Sequence, residues 1–233
     1  MCQNGETLNY CYKYPRPSVT TDCVIFGCDG MGLSVLLVER GAPPYKGCWA
    51  FPGGFLKMDE CAEEGASREL WEETGLREAR VHQFHAFTAP DRDPRERVIT
   101  IAYYALVRTK DVRGGDDAAD ARWFGLGDVP PLAFDHALIL QEAIVSLRRQ
   151  IFFEPIVFEY LPEVFTKEAL CSLYELIMGT KNGGHRFFEW WRHSGALTPV
   201  CEGSDRKDGR SVRFYKYDAR KNGSPHPLPF LEP

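Results

Sequence analysis

The feature that most restricts this chain is a set of charged and glycine residues held at fixed spacing between positions 54 and 76. Gly54 is followed after five residues by Glu60, after seven more by Arg68-Glu69-Leu70, and then by Glu72-Glu73 and Gly75-Leu76. Residues from about 61 to 74 read as a helix that stops at Gly75, a residue common just past a helix C-terminus. Each helical residue turns about 100°, so Glu73 falls about 40° from Glu69 and Glu72 about 60° to the other side. The three carboxylates would share one face, within reach of a common ion. Without a cation they repel one another, and their hard oxygens suit Mg²⁺ or Mn²⁺. Ala62, Ala66 and Leu70 mark the apolar stripe of the same helix. The carboxylates border that stripe, whereas a purely solvating acidic face belongs opposite it. A lone Glu-Glu pair reads as surface charge; nine specified positions in one register are a far more specific signal.

This pattern resembles the Nudix box, with every fixed position filled. The resemblance implies an α/β fold, an α/β/α sandwich around a mixed sheet. Carried over position by position, it implies Glu69 and Glu73 as metal ligands and Glu72 as a ligand or a helper in activating water. The Gly54 carbonyl would add a backbone ligand. Arg68 would pair with Glu60 and orient the loop against the helix; as a plain surface ion pair it would contribute little. The implied reaction is attack of metal-activated water on a diphosphate phosphorus, the metal polarising the phosphoryl oxygens and lowering the pKa of its water.

The box does not choose a substrate. Residues 43–54 and 91–98 resemble the corresponding stretches of ADP-ribose pyrophosphatases and their regulator relatives, which implies cleavage of ADP-ribose, a nucleoside diphosphate derivative, to AMP and ribose 5-phosphate. Arg92, Arg95 and Arg97 are candidates to clamp phosphate or ribose, since a guanidinium matches phosphate geometry. Internal Asp–Arg pairing in a solvated loop is the alternative for each. Tyr14 or Phe51 could stack on a base or serve packing.

Strands are expected at 20–26, 33–39, 79–87, 98–107 and 121–124, with Asp29-Gly30 as a hairpin signal. Asp135 reads as the N-cap of a helix to about Arg149, its Leu138, Ile139, Ala143, Ile144 and Leu147 following a helical period. Residues 151–160 read as an apolar strand broken by Pro155. Thr166 then caps a helix with Leu170, Leu173, Tyr174 and Ile177, and a second short helix carries Phe187, Trp190 and Trp191, expected as core. Strands at 197–201 and 211–217 flank the polar loop 202–210. Helix, turn, helix and hairpin is the order of a winged helix, and residues 150–220 resemble the C-terminal domain of Nudix-related transcriptional regulators. In that family the Nudix domain senses a metabolite and the winged helix-turn-helix binds an operator. Arg186 on the candidate recognition helix, and Arg206, Lys207, Arg210 and Arg213 on the wing, are the candidate contacts to double-stranded DNA. A solvated hairpin on a dimerisation domain is the alternative. The organisation expected is an arm at 1–17, a Nudix hydrolase domain at 18–152, a winged-helix-like domain at 153–221 and a flexible tail at 222–233.

The formal net charge of -5 argues against a chain that coats nucleic acid along its whole surface, while leaving room for a local basic patch. Eight scattered cysteines with no Cys-x-x-Cys pair argue against a zinc site and for reduced intracellular thiols. The first residues lack an apolar run and a basic start, and no stretch reaches transmembrane length, so a cytoplasmic protein without membrane contacts is expected. Two function classes follow: a metal-dependent pyrophosphohydrolase, or a ligand-responsive transcriptional regulator. Regulators in the family often carry an eroded box, so this intact one favours retained catalysis. The resemblance also implies a homodimer formed through the Nudix domains.

Overall fold

A computed structural model of the chain describes residues 13–28, 32–76, 79–109, 118–204 and 211–221. The first unit contains β1 (Ser18–Cys28), β2 (Leu33–Arg40), β3 (Trp49–Ala50), β4 (Gly53–Phe55), α1 (Ala62–Thr74), β5 (His82–Phe87), β6 (Val98–Arg108), β7 (Ala118–Gly125) and α2 (His136–Gln150). Its sheet runs β3-β2-β1-β6-β5, with β4 paired to β1 and β7 to β2. The β1–β6 pair is parallel, whereas β1–β2, β1–β4, β2–β7 and β5–β6 are antiparallel, so the sheet is mixed as expected.

The alternation of side chains along β1 builds two cores. Cys23 and Ile25 join Leu36, Tyr103 and Ala105 under Ala66 and Leu70 of α1. Val24 and Phe26 point the other way and join Val35, Leu37, Tyr104 and Leu106 under Ile139, Ala143 and Leu147 of α2. One helix on each face of the sheet is the α/β/α sandwich expected, and it explains why β1 is buried on both faces. Leu70 is almost wholly buried; truncating such a leucine to alanine costs about 2–5 kcal/mol.

Helix α1 begins and ends where the sequence suggested. The backbone N–H of its N-cap, Cys61, donates to the Glu64 carboxylate at 2.8 Å. At the other end Gly75 takes φ 75°, a left-handed cap that an L side chain rarely adopts. Helix α2 departs from expectation in one respect. Asp135 stands at the N-cap position but makes no side-chain cap, because its carboxylate is taken by Arg92.

The second unit contains α3 (Ile156–Tyr160), β8 (Phe165–Thr166), α4 (Lys167–Met178), α5 (Gly184–His193), β9 (Leu197–Ser204) and β10 (Ser211–Tyr217), with a three-stranded sheet in the order β8-β10-β9. The strand expected over 151–160 is instead helical. Glu154 N–H donates to the Gln150 carbonyl, extending the turns of α2, and Pro155 sits at the N-cap of α3. A short apolar run does not distinguish strand from buried helix, and here proline starts a helix, where its missing N–H is harmless. Thr166 caps α4 as expected, its Oγ1 accepting from Ala169 N–H at 3.1 Å. Phe187, Trp190 and Trp191 are buried core, packed with Phe152, Phe158 and Tyr174. This cluster is continuous with the α2 face of the first unit. Asp29 and Gly30 lie outside the described residues. Among the described residues no helix is long and apolar enough to cross a membrane, and Cys23, Cys28, Cys48, Cys61, Cys171 and Cys201 are free thiols.

Candidate active site

Strand β4 joins the two halves of the site. Asp22 of β1 pairs in register with Gly53, and Thr21 with Gly54. A Cβ at Gly53 would collide with the Thr21 carbonyl, and one at Gly54 with the Glu69 carboxylate. Gly53 is therefore required by close approach of the β1 backbone, whereas at Gly54 the neighbour is the movable end of the Glu69 side chain, which lies against the strand. Glu73, one turn further along α1, accepts a hydrogen bond from Gly53 N–H at 3.0 Å.

Arg68 organises the acidic side. Its Nε and Nη2 donate to both Glu60 oxygens at 2.9 and 2.6 Å, so the pair that the resemblance implies is bidentate here. Its Nη1 donates to Glu69 at 2.7 Å and to Glu72 at 3.0 Å. Glu60 also accepts from Lys57 N–H. These bonds, Arg68 first, hold the Glu60 carboxyl well below its usual range, down to about 2. The same partners, Glu60 first, push the Arg68 guanidinium further toward its charged form.

The expected convergence of Glu69, Glu72 and Glu73 on one ion position differs from what the structure shows. Among the described residues no group of three or more His, Cys, Asp or Glu side chains is gathered to hold a metal. The reason is that Nη1 of Arg68 lies between Glu69 and Glu72, while Glu73 is turned to the β4 backbone. The donor chemistry nevertheless fits a hard divalent cation: three carboxylates on one helix, with the Glu69 carboxylate lying against Gly54.

On the other side of β4 lies a polar cavity of about 210 Å³, lined by Gly53, Gly54 and Phe55 together with Asp22, Arg40, Phe51, Arg92, Asp93, Arg95, Phe134 and His136. Arg92 is buried and grips Asp135 through two bonds of 2.9 and 2.7 Å, with Asp22 at 3.4 Å. Arg95 grips Asp93 at 3.0 and 2.7 Å, which holds the Asp93 carboxyl below its usual range. Arg97 is exposed and donates to the Ala89 carbonyl at 3.0 Å, outside the lining of this cavity. Phe51 is buried and stacks on His136 with ring centroids 5.0 Å apart. Tyr14 is exposed and lines a separate groove with Lys13 and Lys57.

Asp22, Arg40, Phe134 and His136 are among the cavity residues that were not sequence candidates. His136 Nδ1 accepts from Phe51 N–H at 3.0 Å, which leaves Nε2 to face Asp22 Oδ1 at 3.6 Å. Burial lowers the His136 pKa below its ordinary value, against the pull of Asp22 and Asp135. No local spacing announces these residues, because the sheet and the start of α2 bring them together from distant parts of the chain.

In the second unit, Arg186 is exposed on α5, and Arg213 pairs with Glu202 across the β9–β10 hairpin at 2.7 Å. Arg206, Lys207 and Arg210 lie outside the described residues.

A carboxylate helix docked on a Gly-Gly strand, with a polar cavity lined by three arginines and two aspartates beside it, is a layout suited to phosphorylated substrates. Comparison with known proteins makes the class definite: the NUDIX domain model matches residues 16–143, and the chain belongs to the Nudix family. It is 40% identical to an ADP-ribose pyrophosphatase of Methanocaldococcus jannaschii over 129 residues, 55% of this chain and 74% of that one. It is 33% identical to the ADPR responsive transcriptional repressor NtrR of Acinetobacter baylyi over 171 residues, 71% of this chain and 68% of that one. Among solved structures, Shewanella oneidensis NrtR complexed with a 27mer DNA superposes with a TM-score of 0.72 at 27% identity, covering 88% of this chain and 95% of that one.

Proposed function

We propose that this chain is a divalent-metal-dependent pyrophosphohydrolase that splits the diphosphate of ADP-ribose into AMP and ribose 5-phosphate. The observation that carries the reading is the joining of Glu69 and Glu73 to the Gly53-Gly54 strand at the edge of the Arg95-lined cavity. Glu69, Glu72, Glu73 and the Gly54 carbonyl would hold Mg²⁺ or Mn²⁺, which supplies polarisation of the phosphoryl oxygens and a water of lowered pKa. Arg68, braced by Glu60, keeps Glu69 and Glu72 oriented and offsets their repulsion. Arg95, anchored by Asp93, offers a preformed positive edge to the diphosphate. Arg92, occupied by Asp135 and Asp22, fixes the cavity wall. The 40% identity to an ADP-ribose pyrophosphatase supports the substrate. The test is release of AMP from ADP-ribose by the full chain in Mg²⁺, with chelator as control; turnover indifferent to chelation would refute the metal dependence.

A second reading is favoured by the coverage of the C-terminal unit in the repressor matches. The second unit would act as a winged helix on double-stranded DNA through Arg186, Arg206, Lys207, Arg210 and Arg213, with the first unit sensing ADP-ribose and pairing two copies. Replacing Arg206 and Lys207 together by alanine should weaken DNA binding and flatten its salt dependence. Identical binding of variant and parent across a salt series would remove the hairpin loop from the interface.

A further inference from the structure

His82 opens β5, and both of its ring nitrogens face carboxylates of the connection to the second unit. Nε2 lies 3.0 Å from Glu159 Oε2, and Nδ1 lies 3.3 Å from Glu154 Oε2. Glu154 stands in the turn after α2 and Glu159 in α3, on either side of Pro155. The His82 side chain retains 12% of its exposure, and its ring stacks on Tyr104 of β6 with centroids 5.5 Å apart.

The rest of this joint is of a different kind. Ile156 and Val157 of α3 are buried in the core shared by the two units. Arg80 Nη1 donates to Glu159 Oε1 at 3.0 Å, and Arg108 Nε donates to the Tyr160 carbonyl at 3.2 Å. Tyr160 Oη donates to the Cys28 carbonyl at 2.9 Å. Burial first, then Glu154 and Glu159, push the Tyr104 phenol up, so it brings no charge to the imidazole beside it. Apolar packing and arginine do not change charge near neutrality. Imidazole does, between about pH 5 and 8. A neutral imidazole has one N–H and one lone pair; only the doubly protonated ring donates on both sides. With the proton bound, one positive charge sits between two carboxylates. Without it, a lone pair faces one of them.

We propose that His82 is a proton-dependent latch that ties Glu154 and Glu159 to β5 and so docks α3, the connection to the second unit, on the Nudix sheet. The bound proton favours the docked form, so docking is strongest at the acid end and weakens as pH rises across about 5 to 8. The latch involves neither the metal nor the substrate, and it stands independently of the ADP-ribose reading.

The experiment is hydrogen exchange of the α3 amides in the full chain, read by mass spectrometry at about pH 6 and about pH 8, each rate divided by its intrinsic value. A local readout is needed because the buried His136 acts on global stability with the opposite sign. In the parent, α3 protection should fall about threefold or more between the two conditions. In His82→Gln it should be equal at both. Arg80→Gln should lower protection at both and leave the pH dependence in place, since its contact with Glu159 does not titrate. Glu154→Gln, at a side chain 45% exposed, spares the fold and should remove part of the dependence. Equal protection of the parent at the two pH values overturns the latch, as does a fall of the same size in His82→Gln. If His82→Gln fails to fold, a full parental dependence in Glu154→Gln overturns it.

Discussion

Two arginine-centred networks flank strand β4, and they are built in opposite ways. Arg68 bonds Glu60, Glu69 and Glu72, partners eight, one and four residues away. Arg92 bonds Asp135 and Asp22, partners 43 and 70 residues away. The Arg68 side chain retains 17% of its exposure, whereas that of Arg92 retains 4%. The first network is local, wetted and close to the proposed chemistry. The second is long-range, dry and structural. Charged residues in one cleft therefore do different work: the partly solvated set can exchange partners, while the buried set must stay paired because an orphaned buried charge is expensive.

Stability measurements sharpen this contrast. Arg92→Ala leaves Asp135 and Asp22 unpaired, and should cost about 3–5 kcal/mol. A loss below that of Arg68→Ala, read from urea unfolding of the two variants, would invert the comparison. Arg68→Ala itself should cost about 1–2 kcal/mol, since its charged hydrogen bonds are partly screened by water.

Two smaller effects appear in pH dependence. His136 has a folded pKa below its ordinary 6.5. The unfolded chain therefore binds the proton first, and stability is lost as pH falls below 6.5 toward the folded value. His136→Gln should flatten that slope; a urea midpoint falling equally in both proteins would show that another group titrates. Glu60 is held at about 2 against an ordinary 4.5, so its contribution is present above 4.5 and is lost as pH falls through that window. Glu60→Gln should remove this acid-limb dependence, and superposable midpoints below pH 4.5 would deny the Glu60–Arg68 bond a part in it.

The same contrast explains what could be read in the sequence. The pattern of residues 54–76 carried the ends of α1 and its buried Ala66 and Leu70, because these depend on helix geometry, while the Arg68–Glu60 pair came from the family resemblance. Thr166 as a cap and the aromatic core of α5 were legible for the same reason. Arg40, Phe134 and His136 were not, since only the pairing of β1, β2 and β4 and the entry of α2 bring them to one cavity. Asp135 misled for a related reason: a good capping residue was claimed by Arg92, whose distant position no local rule includes. Residues 151–160 misled because apolar content without a clear period fits a strand or a buried helix, and Pro155 was read as a break when it starts α3.

In the proposed function the α1 carboxylates, seated on the Gly53-Gly54 strand, would hold the metal ion that supports hydrolysis of ADP-ribose. The most direct test is AMP release from ADP-ribose in Mg²⁺ by the parent chain and by Glu73→Gln, which keeps the side-chain size and removes a charge. The account predicts turnover in the parent and a loss of about 10³-fold in the variant, the scale of several kcal/mol of lost transition-state stabilisation, with the melting temperature preserved. Undiminished Mg²⁺-dependent turnover in Glu73→Gln would contradict it.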